Sequence, residues 1–240
     1  MNWFTNWFDS PYYHILYENR DEKEAQVFID NLIEKLQLKK SSKLIDIACG
    51  KGRHATYFNK KEMTVIGIDL SPNSIAYAKQ NENNNLHFFV HDMREVYKEN
   101  HFDIATNLFT SFGYFENKDD EHKAINAMAK NLKSNGVLII DFMNVKKVIA
   151  NLISSEKKTI NDITFNIKRS VQDNHIIKDI EIIIGSETQY FQEKVRAITL
   201  ADFSAFFRNV GLNIIDIFGN YKLDDFDATI SDRLILICKK

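Results

Sequence analysis

The chain has 240 residues, of which 44% are hydrophobic and 27% charged; this is globular composition and excludes disorder as a class. Lys and Arg number 31 against 33 Asp and Glu, a net charge of −2, so no cationic excess is available for a polyphosphate backbone and nucleic acid is disfavoured as the main partner. With only two cysteines, Cys49 and Cys238, a disulfide scaffold is not expected and a reducing, cytoplasmic setting is. The first residues lack the basic start and apolar run of a signal peptide, and no apolar stretch approaches the ~18–20 residues of a membrane span, so no membrane partner is expected.

Residues 21–38 place Ala25, Phe28, Ile29, Leu32, Ile33 and Leu36 at helical spacing behind an acidic first turn. Residues 43–47 read as a strand, 53–61 as a helix and 64–69 as a second strand. Ser71-Pro72 supplies an N-cap and a proline for the next helix. Residues 86–90 and 102–108 are further strands, 119–132 a helix, and Asn135-Gly136 turns the chain into a fifth strand over 137–141. Apolar runs alternating with helices argue for a parallel sheet covered on both faces. The pattern then changes. Three strand-like runs, 159–167, 176–184 and 188–195, follow with no helix between them, which predicts antiparallel hairpins. Residues 199–210 return to helix, and strands at 212–217 and 234–238 close the chain. A single domain over 1–240 is expected, with 152–197 inserted in it as an antiparallel β lid.

The informative stretch is Leu44-Ile-Asp-Ile-Ala-Cys-Gly-Lys-Gly-Arg-His-Ala55, a strand running into a glycine-rich turn that opens a helix. Asp69 ends the next strand, where an acid typically takes the ribose hydroxyls of an adenosine. Gly50-x-Gly52-x-x-Ala55 satisfies a loose dinucleotide fingerprint, so NAD must be weighed. Asp46 weighs against it. Its charge lies four positions before Gly50, where like charges ~4 Å apart at an effective dielectric of about 20 repel by around 4 kcal/mol. A phosphate-free ligand carrying an ammonium is attracted instead, which favours S-adenosylmethionine over NAD or ATP.

The motifs Asp46-x-Ala-Cys-Gly-x-Gly52 and Gly67-x-Asp69-Leu-Ser71 resemble the first two motifs of class I S-adenosylmethionine-dependent methyltransferases. The resemblance continues through Phe89-Val-His-Asp92-Met-Arg94 and Phe102-Asp103-x-x-x-Asn107-Leu-Phe109 to Gly136-x-Leu-Ile-Ile-Asp141, covering roughly residues 40–145. The inserted β segment and the tyrosine-rich N-terminus resemble, more weakly, the small-molecule N-methyltransferases. The resemblance implies an α/β, Rossmann-like sheet of seven strands with the last antiparallel. It also implies roles: Asp46 and the backbone of Ala48, Cys49 and Gly50 for the methionine end, Asp69 for the ribose, and Leu70 against the adenine. Asp92 and the Met93 amide would take the adenine edge, with Leu108 and Phe109 beside the methyl path. Tyr13, Tyr17 and Arg20 are the N-terminal candidates for the cofactor. Substrate candidates follow from position: Phe112, Tyr114 and Phe115 after the fourth strand, Tyr221 and Arg233 in the polar tail.

Other residues read as structural. Cys49 is expected to be a buried, inert thiol, and His54 a packing or exposed histidine. His87, His91 and His101 lack metal-ligand spacing, so no metal is expected. Trp3, Phe4, Trp7 and Phe8 either close over the site or bury against a neighbour. Transfer from a sulfonium to an amine demands alignment and water exclusion more than a strong base, so no catalytic residue is singled out. The expected function is methyl transfer to a small-molecule acceptor, an amine, without a nucleic-acid partner. The alternatives are a catalytically silent module holding S-adenosylmethionine or S-adenosylhomocysteine, and a protein or RNA methyltransferase. The strand edges of the insertion leave a homodimer open.

Overall fold

The computed structural model describes residues 3–17 and 22–240. Three helices come first: α1 (Trp3–Phe8), α2 (Pro11–Leu16) and α3 (Glu22–Leu36). Strands and helices then alternate as β1 (Lys43–Ile47), α4 (Arg53–Lys60), β2 (Thr64–Asp69), α5 (Pro72–Ala78), β3 (Leu86–Val90), β4 (Phe102–Asn107), α6 (Lys118–Asn131), β5 (Leu132–Met143) and α7 (Val145–Ala150). Four strands follow, β6 (Ser155–Ile160), β7 (Ile163–Gln172), β8 (His175–Ile184) and β9 (Glu187–Arg196), and then α8 (Leu200–Asn209), β10 (Asn213–Phe218) and β11 (Arg233–Lys239).

Seven strands form one sheet in the order β10-β11-β5-β4-β1-β2-β3. β1 to β5 pair in parallel, and β11 runs antiparallel to both β5 and β10. This is the sheet that the sequence resemblance implies. Because β2 and β4 flank β1 on opposite sides, the loops leaving these strands diverge and open a crevice at the carboxyl end of β1. The helix starts are fixed by their caps. The Ser71 hydroxyl accepts from the Ser74 amide with Pro72 in the first turn, and Thr199 and Asp202 form a reciprocal capping box on α8. The fifth strand begins earlier than the sequence suggests. Leu132 already pairs with Phe102, and the register then shifts so that Val137 pairs with Ile104. Asn135, in the left-handed region, absorbs the slack.

The insertion is a separate four-stranded antiparallel sheet, β6-β7-β8-β9. The run expected as one strand over 159–167 is two strands. Asn161 and Asp162 both adopt positive φ between the paired residues Ile160 and Ile163, the geometry of a tight two-residue hairpin. Asp173 and Asn174 make the next hairpin in the same way, between Gln172 and His175. The N-terminal helices pack on this sheet: Trp7 and Leu16 are buried with Phe165, Ile167, Ile180 and Ile182. Trp7 thus buries against the insertion, while the side chains of Trp3 and Phe4 lie outside the described residues.

Arg196, at the end of β9, ties the insertion back to the main sheet. Its amide donates to Gly113 O at 2.8 Å, and its Nε donates to Glu121 Oε1 of α6 at 2.6 Å. Glu121 Oε2 has no hydrogen-bond partner, so this buried carboxylate rests on one cation. Arg196→Met is therefore expected to lower stability by about 3 kcal/mol, because it strands a buried charge. The double change Arg196→Met with Glu121→Leu should recover most of that loss. Urea unfolding of the three proteins checks this; equal midpoints would show the pair to be neutral.

Candidate functional site

The crevice begins at the turn after β1. Ala48, Gly50 and Gly52 all adopt positive φ, of 59°, 55° and 80°. At Gly52 a Cβ would lie 2.6 Å from the Phe88 ring, so only glycine lets α4 start against β3. Around Gly50 an added Cβ meets nothing within 4 Å, so the turn faces open space. Asp69, at the end of β2, fixes this turn. Its Oδ2 accepts from the Gly50 amide at 2.8 Å and its Oδ1 from the Ser71 amide at 2.8 Å. Each oxygen keeps a lone pair for a ligand.

Above the turn lies a cavity of about 920 Å³. Of the residues singled out from the sequence, Tyr13, Tyr17, Ala48, Cys49, Gly50, Asp69, Leu70, Asp92, Met93, Leu108, Phe109, Tyr114 and Phe115 all line it. Arg20 lies outside the described residues. Asp92 is held by Arg94, whose Nη2 donates to Oδ2 at 2.6 Å and whose Nη1 reaches Asp120 at 2.8 Å. Arg94 keeps the Asp92 carboxyl below its ordinary pKa despite burial. The Cys49 thiol is pushed well above its ordinary pKa by burial, which leaves it protonated and unreactive. His54 is buried and also lines the cavity, its ring 6.1 Å from that of Phe109.

Asp46 does not reach the cavity. It is 1% exposed, pairs in register with Thr106 of β4 and accepts from the Thr106 hydroxyl at 2.8 Å. Its Oδ2 has no hydrogen-bond partner. Phe112 is also displaced from its expected role: it is fully buried in the main core with Phe203 and Phe206. Tyr221 and Arg233, expected at a substrate, both bond a buried acid. Asp141 is 0% exposed; its Oδ2 accepts from the Tyr221 hydroxyl at 3.0 Å and from the Phe109 amide at 2.9 Å, and its Oδ1 from Arg233 Nε at 2.7 Å. Arg233 also donates to Thr110 Oγ1 at 2.9 Å. This network holds Phe109 and Thr110, both at positive φ. Tyr221 lies behind the cavity wall, while Arg233 borders a smaller neighbouring cavity.

Phe8, one of the aromatics expected either over the site or against a neighbour, lines the large cavity; sequence reasoning missed Arg94, Asn161 and Glu193, which also line it. Glu193 of β9 matters most. Its Oε1 accepts from Trp7 Nε1 and from the Tyr17 hydroxyl, both at 2.7 Å, and Lys178 Nζ lies 3.5 Å from its Oε2. Burial, then this carboxylate, raises the Tyr17 phenol well above its ordinary pKa.

Residues 38–196 match the model of a family described as methyltransferase domain. A dTDP-3-amino-3,4,6-trideoxy-alpha-D-glucopyranose N,N-dimethyltransferase of Streptomyces venezuelae is 24% identical over 187 residues, 72% of this chain and 76% of that protein. A glycine/sarcosine N-methyltransferase of Parasynechococcus marenigrum is 30% identical over 135 residues, 54% of this chain and 46% of that protein. Several other curated relatives are likewise matched over about half of their length. Among solved structures, an S-adenosylmethionine-dependent methyltransferase from Clostridium acetobutylicum superposes with a TM-score of 0.79 at 20% identity, covering 95% of each chain. An amino pentose methyltransferase from Micromonospora echinaspora, solved with S-adenosylmethionine bound, gives 0.69 at 17% identity, over 96% of this chain and 97% of that one. The chain belongs to the class I S-adenosylmethionine-dependent methyltransferases. The open glycine turn and the spare lone pairs of Asp69 suit the cofactor of that family.

Burial of Asp46 has a consequence for stability. Burial outweighs the Thr106 hydroxyl, the Ala55 backbone and the Arg53 charge, and its carboxyl is pushed up to about 7. The protonated form is thus favoured on folding. The stabilisation it provides is complete below about pH 4 and is lost as pH rises through about 7. Asp46→Asn mimics the protonated acid. In the ligand-free protein it is expected to be more stable than wild type at pH 8 by roughly 2–4 kcal/mol, and equal to it near pH 4. Urea titrations at the two pH values test this; no gain at pH 8 would mean that the charge is compensated.

Proposed function

We propose that the protein transfers the methyl group of S-adenosylmethionine to the amine of a small molecule inside the large cavity. The observation that carries this reading is the composition of the cavity wall. The cofactor motifs share one cavity with Phe8, Tyr13 and Tyr17 of the N-terminal segment and with Asn161 and Glu193 of the insertion. An acceptor must fit in what the cofactor leaves of about 920 Å³, which suits a small molecule. Three relatives are named as N,N-dimethyltransferases of amino sugar nucleotides and one as a glycine/sarcosine N-methyltransferase, which supports an amine as the acceptor.

In this reading Asp69 accepts both ribose hydroxyls, Leu70 and Met93 flank the adenine, and Asp92 accepts from its amino group. Ala48, Cys49 and Gly50 border the methionine end, with Tyr13 and Tyr17 over it. Asp46 acts from beneath the turn, by its field, without contact. When bound, the cofactor supplies a methyl group already activated by its sulfonium. The chain itself aligns the acceptor, excludes water and receives a proton. Glu193 is the carboxylate placed to hold an ammonium and to take its proton, since the nitrogen attacks only when neutral. Phe109, fixed by Asp141, borders the path of the methyl group. The insertion and the N-terminal helices together form the lid.

Calorimetry is expected to show micromolar binding of S-adenosylmethionine and S-adenosylhomocysteine, and tighter binding of NAD would sink the reading. Release of S-adenosylhomocysteine should be stimulated by a pool of small amines and not by matched alcohols; the opposite preference would move the acceptor atom to oxygen. Asp69→Ala should weaken cofactor binding by roughly 2–4 kcal/mol, because a charged acceptor of two hydrogen bonds is lost. Asp92→Asn should cost much less, since an amide oxygen still accepts from the adenine. Equal small effects would misplace the ribose.

A further inference from the structure

We propose that the smaller cavity is a second acceptor subsite, taking an oxyanion, a carboxylate or phosphate-type group, carried by the molecule whose amine is methylated. This rests on the reading above. The cavity, about 260 Å³, lies between the end of the main sheet and the inserted sheet. Tyr17, Phe109, Thr110, Tyr114 and Glu193 border both cavities, so the two adjoin across the place where the amine is held.

The cations argue for the oxyanion. Arg169 of β7, Lys178 of β8 and Arg233 of β11 all face the smaller cavity, with side chains 20, 13 and 18% exposed. The counter-charges of the arginines, Glu156 at 2.5 Å from Arg169 and Asp141 at 2.7 Å from Arg233, border neither cavity. On its own wall the cavity therefore presents three cations to one carboxylate, Glu193. The arginines are not exhausted as donors. Arg169 gives Nη2 to Glu156 and Nη1 to Ile153 O; Arg233 gives Nε to Asp141 and Nη2 to Thr110. Each guanidinium carries five N–H groups, so each retains some for a ligand. Burial lowers the pKa of Lys178, and an arriving anion would offset the cost of its charge. Met143, Val148, Leu152, Ile176 and Val195 supply the apolar part of its wall, so the charged groups stand out as the places where a ligand's polar end can be held. An acceptor bearing both an ammonium and an oxyanion meets Glu193 with one end and the cations with the other, and brings no net charge into a neighbourhood that is already balanced.

Matched amines test the proposal on the protein saturated with S-adenosylhomocysteine, whose own affinity is measured first. β-Alanine and γ-aminobutyrate are each compared with their amides, and aminoethylphosphonate with ethanolamine, by calorimetry and by methyl transfer from S-adenosylmethionine. The expected result is binding at least about tenfold tighter for the oxyanion member of a pair, about 1.4 kcal/mol; the carboxylate and phosphonate arms tell which oxyanion is preferred. Arg169→Gln should erase that preference while leaving the affinity for S-adenosylhomocysteine unchanged, and Arg169→Lys should restore part of it. Equal binding within every pair, no binding of any oxyanion member at millimolar concentration, or a preference that survives Arg169→Gln overturns the proposal. If the variant melts early, the ratio in the wild-type protein alone decides. Turnover of amines regardless of their tail would refute this subsite and leave the proposed function standing; failure to bind S-adenosylhomocysteine would refute that function itself.

Discussion

One buried carboxylate, Asp141, organises the side of the crevice where the chemistry is placed. It stands at the end of β5 with no solvent exposure, an arrangement that is costly for a charge unless donors surround it. Here a guanidinium, a phenol and a backbone amide do so, from β11, from the segment after β10 and from the loop after β4. The same contacts hold Phe109 and Thr110 in left-handed conformations. For residues with a Cβ that region is unfavourable and persists only where surrounding contacts over-determine it. The antiparallel β11 therefore does more than close the sheet: it delivers Arg233 to the loop that borders the cofactor cavity.

Two acids on adjacent strands show how register decides role. Asp69 ends β2 and projects where the turn and the Ser71 loop each supply an amide, so it is fixed and still has lone pairs to offer. Asp46 lies inside β1, opposite Thr106, and is buried under the turn with one oxygen unpartnered. The two residues have the same side chain and lie on adjacent strands, yet one lines the cavity and the other is buried beneath the turn.

Much of the fold was legible in the sequence because it is local. The apolar runs, the Ser71-Pro72 cap and the glycine turn each name their own element, and the order of the motifs then identifies the sheet. The Asn161-Asp162 hairpin was missed although Asn and Asp are favoured in tight turns, because the apolar, β-branched residues on both sides of them read as one continuous strand. The cavity lining near the glycine turn was likewise readable, since strand ends at a switch point are fixed by topology. The bonds that Tyr221 and Arg233 make were hidden for the opposite reason. Their partner, Asp141, is 80 and 92 residues away in the chain, and nothing local distinguishes a tyrosine that meets a substrate from one that satisfies a buried acid.

Glu193 marks the limit of such reading and connects the N-terminal helices to the inserted sheet. In the sequence it is one charged residue among several in an alternating strand. In the fold it receives Trp7 and Tyr17 from the N-terminal segment, and Lys178 lies beside it on the neighbouring strand. The aromatic N-terminus, about 180 residues distant, is thereby tied to the insertion through the Trp7 indole and the Tyr17 hydroxyl. One carboxylate thus both anchors the N-terminal helices and borders the two cavities. In the proposed reading, an ammonium at Glu193 would meet the residue that ties α1 and α2 to the insertion, so the contacts that position the amine would also exclude water.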